Sequence, residues 1–300
     1  MSEPGEIAAG PNAAQFEYWN QVAGPKWVRL AETMDMRLAP MLALLLERAG
    51  ARPGERVLDV GCGMGTSTLA LAGQVGASGR VVGIDLSAPM LEVARRRAAE
   101  RGLSNISFLQ ADAQTHAFGA RGFDRVVSRF GVMFFADPVA AFRNLHGAMQ
   151  PGAALCFVCW APLAGNLHWR VPFEIVVRAL GPPAPTPAHA PGPMAFSDIA
   201  YLRDVLESAG FAEPRIVAEE LAIAGGSPDE EAALACLMGP SARLIEERAA
   251  PEPLRAALRH DIAAALRPHT ADGAKVILPA TVLLVSAERR GGREGHLAGQ

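Results

Sequence analysis

The chain has 300 residues, half of them hydrophobic and 20% charged, with a formal net charge of −3 and a pI near 6.2. That balance excludes a disordered chain, and so slight an acidic excess gives no general electrostatic argument for nucleic acid or an anionic membrane as partner. The first six residues are acidic where a secretion signal would be basic, and the apolar stretch 38–46 is too short to cross a bilayer, so a cytoplasmic protein is expected.

Residues 1–13 read as a flexible leader. Apolar residues then recur at helical spacing from 15 to 49, through Phe16, Trp19, Val22 and Trp27 and on to Leu38, Leu42, Leu45 and Leu46. A turn at 50–54 follows, and then a strict alternation. Strands are expected at 56–60, 81–84, 106–110, 123–128 and 153–160, with helices at 66–74, 88–101 and 138–149. Strands separated by helices of about ten to fifteen residues imply a parallel α/β sheet with helices on both faces. Beyond Trp160 the rhythm breaks. A helix is expected at 172–180, a proline-rich loop at 181–193, a helix at 198–209 and a strand at 215–221. A helical insertion at 229–266, a closing strand at 280–287 and a disordered tail at 289–300 complete the chain. This divides it into an N-terminal helical lid region, 1–50, and one domain, 51–288, with cap insertions near 161–198 and 229–268.

Cys156 and Cys159 have C-x-x-C spacing but fall in an apolar run that reads as a buried strand. Three residues apart on a strand puts them on opposite faces, so packed core thiols are expected rather than a metal site or a disulfide.

The informative segment is 57–66, Val-Leu-Asp-Val-Gly-Cys-Gly-Met-Gly-Thr, at the carboxyl end of the first strand, where a doubly wound sheet binds ligands. Gly61, Gly63 and Gly65 let the backbone turn tightly and approach a ligand closely. Their spacing is G-x-G-x-G rather than the G-x-G-x-x-G of dinucleotide folds. Asp59, two residues upstream, suits a ligand bearing an ammonium and a sulfonium better than a pyrophosphate, and it can also tie the loop together. Twenty residues past Gly65, a second strand ends in Asp85. A carboxylate there can accept both hydroxyls of an adenosine ribose, or cap the next helix.

The 59–65 loop and Asp85 resemble the first two motifs of class I S-adenosylmethionine-dependent methyltransferases. Three further segments match that family in order: Asn-Ile-Ser-Phe-Leu-Gln-Ala-Asp-Ala at 105–113, Phe-Asp-Arg-Val-Val-Ser at 123–128, and Met-Gln-Pro-Gly-Ala at 149–153. The last departs from the family's L-x-P-G-G turn at both ends. The resemblance covers about 55–160 well. It implies a Rossmann-like seven-stranded, mostly parallel sheet with an antiparallel last strand. It further implies S-adenosylmethionine as cofactor, S-adenosylhomocysteine as product, and a cofactor site built from Asp59, Gly61, Cys62, Gly63, Gly65, Asp85, Leu86, Met90, Asp112, Ala113, Arg129 and Phe130. Asp112 and Ala113 would bound the adenine, and Arg129 and Phe130 would line the methionine end. Within the family the likeness is to small-molecule enzymes of the quinone and natural-product kind, acting on an O, N or C nucleophile. Residues 18–27, with Trp19, resemble an N-terminal lid of some bacterial members, and equally read as an amphipathic helix against the core.

Methyl transfer is in-line displacement at a sulfonium carbon, where positioning and water exclusion do most of the work and a base is needed only for a reluctant nucleophile. His168, just after the fifth strand, is the candidate base, with His116 behind it. Trp19, Phe134, Trp160 and Trp169 are candidates for an apolar acceptor pocket. The fourth strand ends Ser128-Arg129-Phe130-Gly131, without the acid or Asn, two prolines and aromatic of enzymes that methylate nucleic-acid bases. No metal-ligand spacing occurs, so no metal is expected; the expected partner is a small-molecule substrate, with neither nucleic acid nor membrane, and the protein a monomer or homodimer. Two other readings remain: a non-catalytic S-adenosylmethionine-binding protein, and an NAD(P)-dependent oxidoreductase, disfavoured by the glycine spacing and by Asp59.

Overall fold

A computed structural model describes residues 7–119, 122–271 and 275–290. The described chain leads into the sheet through helices α1 (Ala13–Gln21), α2 (Ala23–Arg29), α3 (Ala31–Arg37) and α4 (Ala39–Ala49). The expected alternation follows as β1 (Arg56–Val60), α5 (Thr66–Val75), β2 (Arg80–Asp85), α6 (Ala88–Glu100), β3 (Ile106–Gln110), β4 (Phe123–Arg129), α7 (Pro138–Ala148) and β5 (Met149–Trp160). The later chain adds α8 (Leu167–Leu180), α9 (Ile199–Ser208), β6 (Ala212–Ala224), α10 (Pro228–Ala235), α11 (Gly239–Glu247), α12 (Glu252–Leu266), the two-residue β7 (Thr270–Ala271) and β8 (Lys275–Glu288).

The sheet runs β3-β2-β1-β4-β5-β8-β6, with β7 paired to β8 off that path. β1 to β5 pair in parallel, and β8 is antiparallel to both β5 and β6. The order reverses at β1, which pairs with β2 on one side and β4 on the other. A crevice opens at such a switch point, beyond the carboxyl ends of the strands, and it places the glycine loop and the end of β4 side by side.

The main core packs the inward faces of β1, β2, β4, β5 and β8 against α4, α5, α7 and α9, through Met41, Leu45, Leu58, Leu71, Ile84, Phe142 and Phe157. A second apolar cluster joins α8, α10, α11 and α12 through Val176, Ala232, Leu244, Ile245, Leu258 and Ile262. Cys156 and Cys159 are buried free thiols, and burial pushes the Cys156 thiol up to about 12. No described helix is long and apolar enough to cross a membrane.

Several expectations are corrected. The leader is not loose where it is described: Ile7 is buried and Asn12 is only 2% exposed. Residues 1–6 and 291–300 lie outside the described residues, but the expected disordered tail begins too early. Arg289 is buried and donates to the carbonyls of His146 and Met149, and Arg290 pairs with Glu213 at 3.0 Å. The helix expected at 172–180 begins five residues sooner and holds Pro172 in its interior. The helical insertion expected over 229–266 consists of α10, α11 and α12. β8 begins at Lys275 and passes through Pro279, which pairs with Ala222 along the full length of β6.

Candidate active site

The site begins with the turn out of β1. Gly61, Gly63 and Gly65 all have positive φ, at 66°, 53° and 80°, a region that side chains other than glycine enter at a cost. Gly61 also touches the backbone of Gly131 beyond β4: a Cβ on Gly61 would stand 2.5 Å from Gly131 Cα. The loop is fixed from both sides, since the amides of Gly61 and Cys62 donate to the carbonyl of Ile84 at 2.8 and 3.1 Å. Cys62 is buried beneath it.

Asp59 is fully buried at the end of β1. Its Oδ2 accepts from the hydroxyls of Ser67 and Thr68, each at 2.7 Å, which ties the loop to the start of α5. Its Oδ1 has no partner. Burial raises its pKa against the pull of those two hydroxyls. Arg129, at the end of β4, has a buried Nη1 that is likewise unpartnered. Burial lowers the pKa of its guanidinium, while Asp35 and Asp59 draw it the other way. One unsatisfied carboxylate oxygen and one unsatisfied guanidinium nitrogen buried at neighbouring strand ends fit a zwitterion, whose ammonium and carboxylate would complete both.

Asp85 closes β2. Its Oδ2 accepts the amide of Gly63 and its Oδ1 the amide of Ser87, both at 2.8 Å. The carboxylate therefore caps the turn and clasps the glycine loop at once, and half its acceptor capacity remains for a ligand's donors. Burial raises its pKa to about 6, with Asp59 adding to that and the two amides opposing it. Leu86 presents its carbonyl to Asn20 and Gln110. Met90 lies below Gly63, where a Cβ would come within 2.9 Å of its terminal methyl.

Beyond β3, Asp112 and Ala113 are buried. Both oxygens of Asp112 accept the carboxamide of Asn12, at 3.0 and 2.9 Å, and Oδ1 also accepts the amide of Gln114 at 2.9 Å. Asn12 was invisible to sequence reasoning, because an asparagine before a helix reads as a cap and nothing local points to a partner 100 residues away.

The N-terminal helices are pinned over this edge by polar bonds as well as by packing. Asn20 donates to Leu86 O at 3.0 Å and accepts from Ala88 N at 2.9 Å, and Ser87 Oγ donates to Trp19 O at 2.9 Å. Asp35 accepts from Thr66 at 2.6 Å and pairs with Arg97 at 2.9 Å. Trp19, Trp27 and Val28 pack on Met64, Met90 and Val93.

The expected aromatic pocket divides in two. Trp19 meets Phe134 edge-on with ring centroids 5.1 Å apart, in the N-terminal helical layer. Phe130, held at φ 66°, stacks on Trp160 at 4.3 Å, and Trp160 in turn packs with His168 and Trp169 at 5.1 and 4.8 Å. His168 is 8% exposed, and its Nδ1 has no partner. Burial, with the charge of Arg37 behind it, pushes its pKa down to about 3. That Arg37 forms a buried ion pair with Glu231, joining α3 to α10. His116 lies in the turn after Asp112, edge-on to Phe118, and burial lowers its pKa. Among the described residues no group of three or more potential metal ligands occurs.

A methyltransferase-domain family model matches residues 57–152. Aklanonic acid methyltransferase DauC of a Streptomyces species (strain C5) is 39% identical over 133 residues, a match covering 44% of this chain and 60% of that one. Nocamycin O-methyltransferase of Saccharothrix syringae is 31% identical over 242 residues, covering 78% of this chain and 85% of the relative. The ubiquinone/menaquinone biosynthesis C-methyltransferase UbiE of Shewanella oneidensis is 38% identical over 111 residues, covering 37% and 44%. Among solved structures, the YcgJ protein of Bacillus subtilis superposes with a TM-score of 0.54 at 19% identity, covering 85% of this chain and all of that one, a likeness of fold. Five ordered motifs, their assembly at one switch point and a relative matched over most of its length converge: the chain belongs to the class I S-adenosylmethionine-dependent methyltransferases.

Proposed function

We propose that this protein methylates a hydroxylated, largely planar small molecule, with the donor held at the ends of β1, β2 and β3 and the acceptor against the aromatic wall beyond β4 and β5. S-adenosylmethionine supplies an electrophilic sulfonium methyl, which passes in line to the acceptor and leaves S-adenosylhomocysteine. The observation that carries the donor half is Asp85, held by the amides of Gly63 and Ser87 with acceptor capacity to spare for a ribose diol. Asp112 and Ala113 bound the adenine, while Leu86 and Met90 pack the nucleoside. Asp59 Oδ1 and Arg129 Nη1 hold the amino-acid end.

The acceptor half is apolar, with Phe130, Trp160 and Trp169 packed ring on ring, an aromatic lining suited to a flat partner. His168 acts there as a neutral hydrogen-bond acceptor rather than as a store for a proton. With a pKa near 3 it cannot hold a proton at neutral pH, yet its free Nδ1 orients an acceptor hydroxyl. The relatives named for aklanonic acid and for ubiquinone/menaquinone biosynthesis support a small-molecule acceptor. A sheet lacking the base-methylating signature after β4 supports a small molecule over nucleic acid.

The test is calorimetric titration with S-adenosylhomocysteine and NADH, followed by assay of radiolabelled methyl transfer to a panel of hydroxyanthraquinones and hydroxynaphthoquinones. Binding of S-adenosylhomocysteine at micromolar levels, none for NADH, and label in an ether product are expected. NADH binding without S-adenosylhomocysteine binding would overturn the donor reading. Donor binding with no labelled quinone would overturn the acceptor reading.

A further inference from the structure

Asn12 stands at the N-cap of α1, where asparagine ordinarily turns back to accept from the first free helix amides. It makes no such bond. Its Nδ2 instead donates to Asp112 Oδ1 and Oδ2 and to Gln114 Oε1 at 3.1 Å, and its Oδ1 accepts the amide of Ala136 at 2.8 Å. Gln114 completes the cluster by accepting the amide of Asp137 at 3.0 Å. Asn12, Asp112 and Gln114 are 2%, 4% and 7% exposed. The side chain has been diverted from its local helix to a buried carboxylate.

A carboxylate oxygen accepts two hydrogen bonds in its plane. Asp112 Oδ1 already accepts two, from Asn12 and from Gln114 N, while Oδ2 accepts one. One acceptor direction is left. We infer that Asn12 is a positioning residue for nucleobase selection: it fixes Asp112 so that its one remaining acceptor direction serves the exocyclic amino group of adenine. This rests on the reading that Asp112 meets the adenine. A 6-oxo purine offers an acceptor at that place and meets a carboxylate that Asn12 prevents from turning away. Leaving two acceptors facing one another in a buried site is costly, which makes the cluster a filter as well as a grip.

The full-length chain is titrated with S-adenosylhomocysteine and with S-inosylhomocysteine, as wild type and as Asn12→Ala, Asn12→Asp and Asp112→Asn. Asn12→Ala is expected to weaken S-adenosylhomocysteine about tenfold, as for a hydrogen bond to a charged group, and the inosyl analogue much less, so the ratio between them narrows. Asn12→Asp, which turns oxygens toward Asp112, is expected to weaken the adenosyl ligand further. A helix-capping role alone would weaken both ligands alike, so an unchanged ratio in Asn12→Ala overturns the inference. Asp112→Asn separates the two levels. If it weakens S-adenosylhomocysteine while Asn12→Ala matches the wild type, only the role of Asn12 fails. If Asp112→Asn leaves affinity unchanged, the adenine reading fails and this inference with it. Should Asn12→Ala not fold, hydrogen exchange on the wild type decides. S-adenosylhomocysteine is expected to slow exchange at the Ala136 amide several-fold, and no slowing overturns the inference.

Discussion

The two halves of the crevice are built from different materials. At the ends of β1, β2 and β3 the contacts are directional: the carboxylates of Asp59, Asp85 and Asp112 are held by hydroxyls, backbone amides and a carboxamide at 2.7 to 3.0 Å. Beyond β4 and β5 the surface is made of stacked rings, with one neutral imidazole and a buried ion pair behind them. Directional polar contacts recognise one ligand and tolerate little change, whereas ring faces accept many flat ligands with small energetic differences. The donor and acceptor halves proposed above fall on the two sides of that division.

Four experiments break or sharpen the contrast. The largest effect is expected behind the ring cluster. Arg37→Met strands Glu231 as an unpaired buried charge and is expected to lower stability by about 3–5 kcal/mol in denaturant unfolding. Arg37→Met combined with Glu231→Leu should recover most of that loss. If the single variant is as stable as the wild type, the pair does not hold α3 to α10.

On the donor side, Asp85→Ala is expected to weaken S-adenosylhomocysteine about 100-fold, equivalent to about 3 kcal/mol for two hydrogen bonds to a charged group. Retained affinity would reduce Asp85 to a cap for the turn.

The third is a pH effect with a definite sign. The folded pKa of Asp85 is raised to about 6 by burial, so the protein without ligand binds this proton more readily than the unfolded chain. The contribution to stability therefore falls as pH rises from the ordinary carboxylate range to about 6, and is constant above that. Ribose hydroxyls donate best to the ionised form, so donor affinity should rise with pH over the same window. At pH 5 the ionised fraction is about a tenth, and affinity should be about tenfold lower than at pH 7.5. Asp85→Asn should flatten the profile, and a profile that survives that substitution assigns the titration elsewhere.

The smallest effect is expected from Trp169→Leu. It removes a ring that packs on Trp160 and His168, and should leave donor affinity within about twofold if the two halves act independently. A larger change would show that the two halves are coupled.

The polar half of the candidate site was far more legible in the sequence than the aromatic half. The glycine loop, Asp59 and Asp85 lie within one strand-turn-helix-strand unit, and short-range geometry dictates their residue types. The residues that complete the site come from afar. Asn12 reaches Asp112, Arg37 reaches Glu231, and neither partner can be inferred from local spacing. Two elements start earlier than expected. The helix expected from 172 begins at Leu167, anchored by Asn166, whose carboxamide bonds the carbonyls of Ala161 and Thr281. The strand expected from 280 begins at Lys275, and its long pairing with β6 carries the chain through Pro279.

The contact between Gly61 and Gly131 has a further consequence. A Cβ added to Gly131 would come within 2.5 Å of Val60 O and 2.6 Å of Gly61 Cα. The two positions thus share a single volume that neither can fill, though they lie on turns out of different strands. In effect the glycine loop has a fourth member, contributed by another strand and absent from any linear pattern. A search that scores the contiguous segment alone would accept a chain with a side chain at 131, and such a chain could not bring its donor loop against the end of β4.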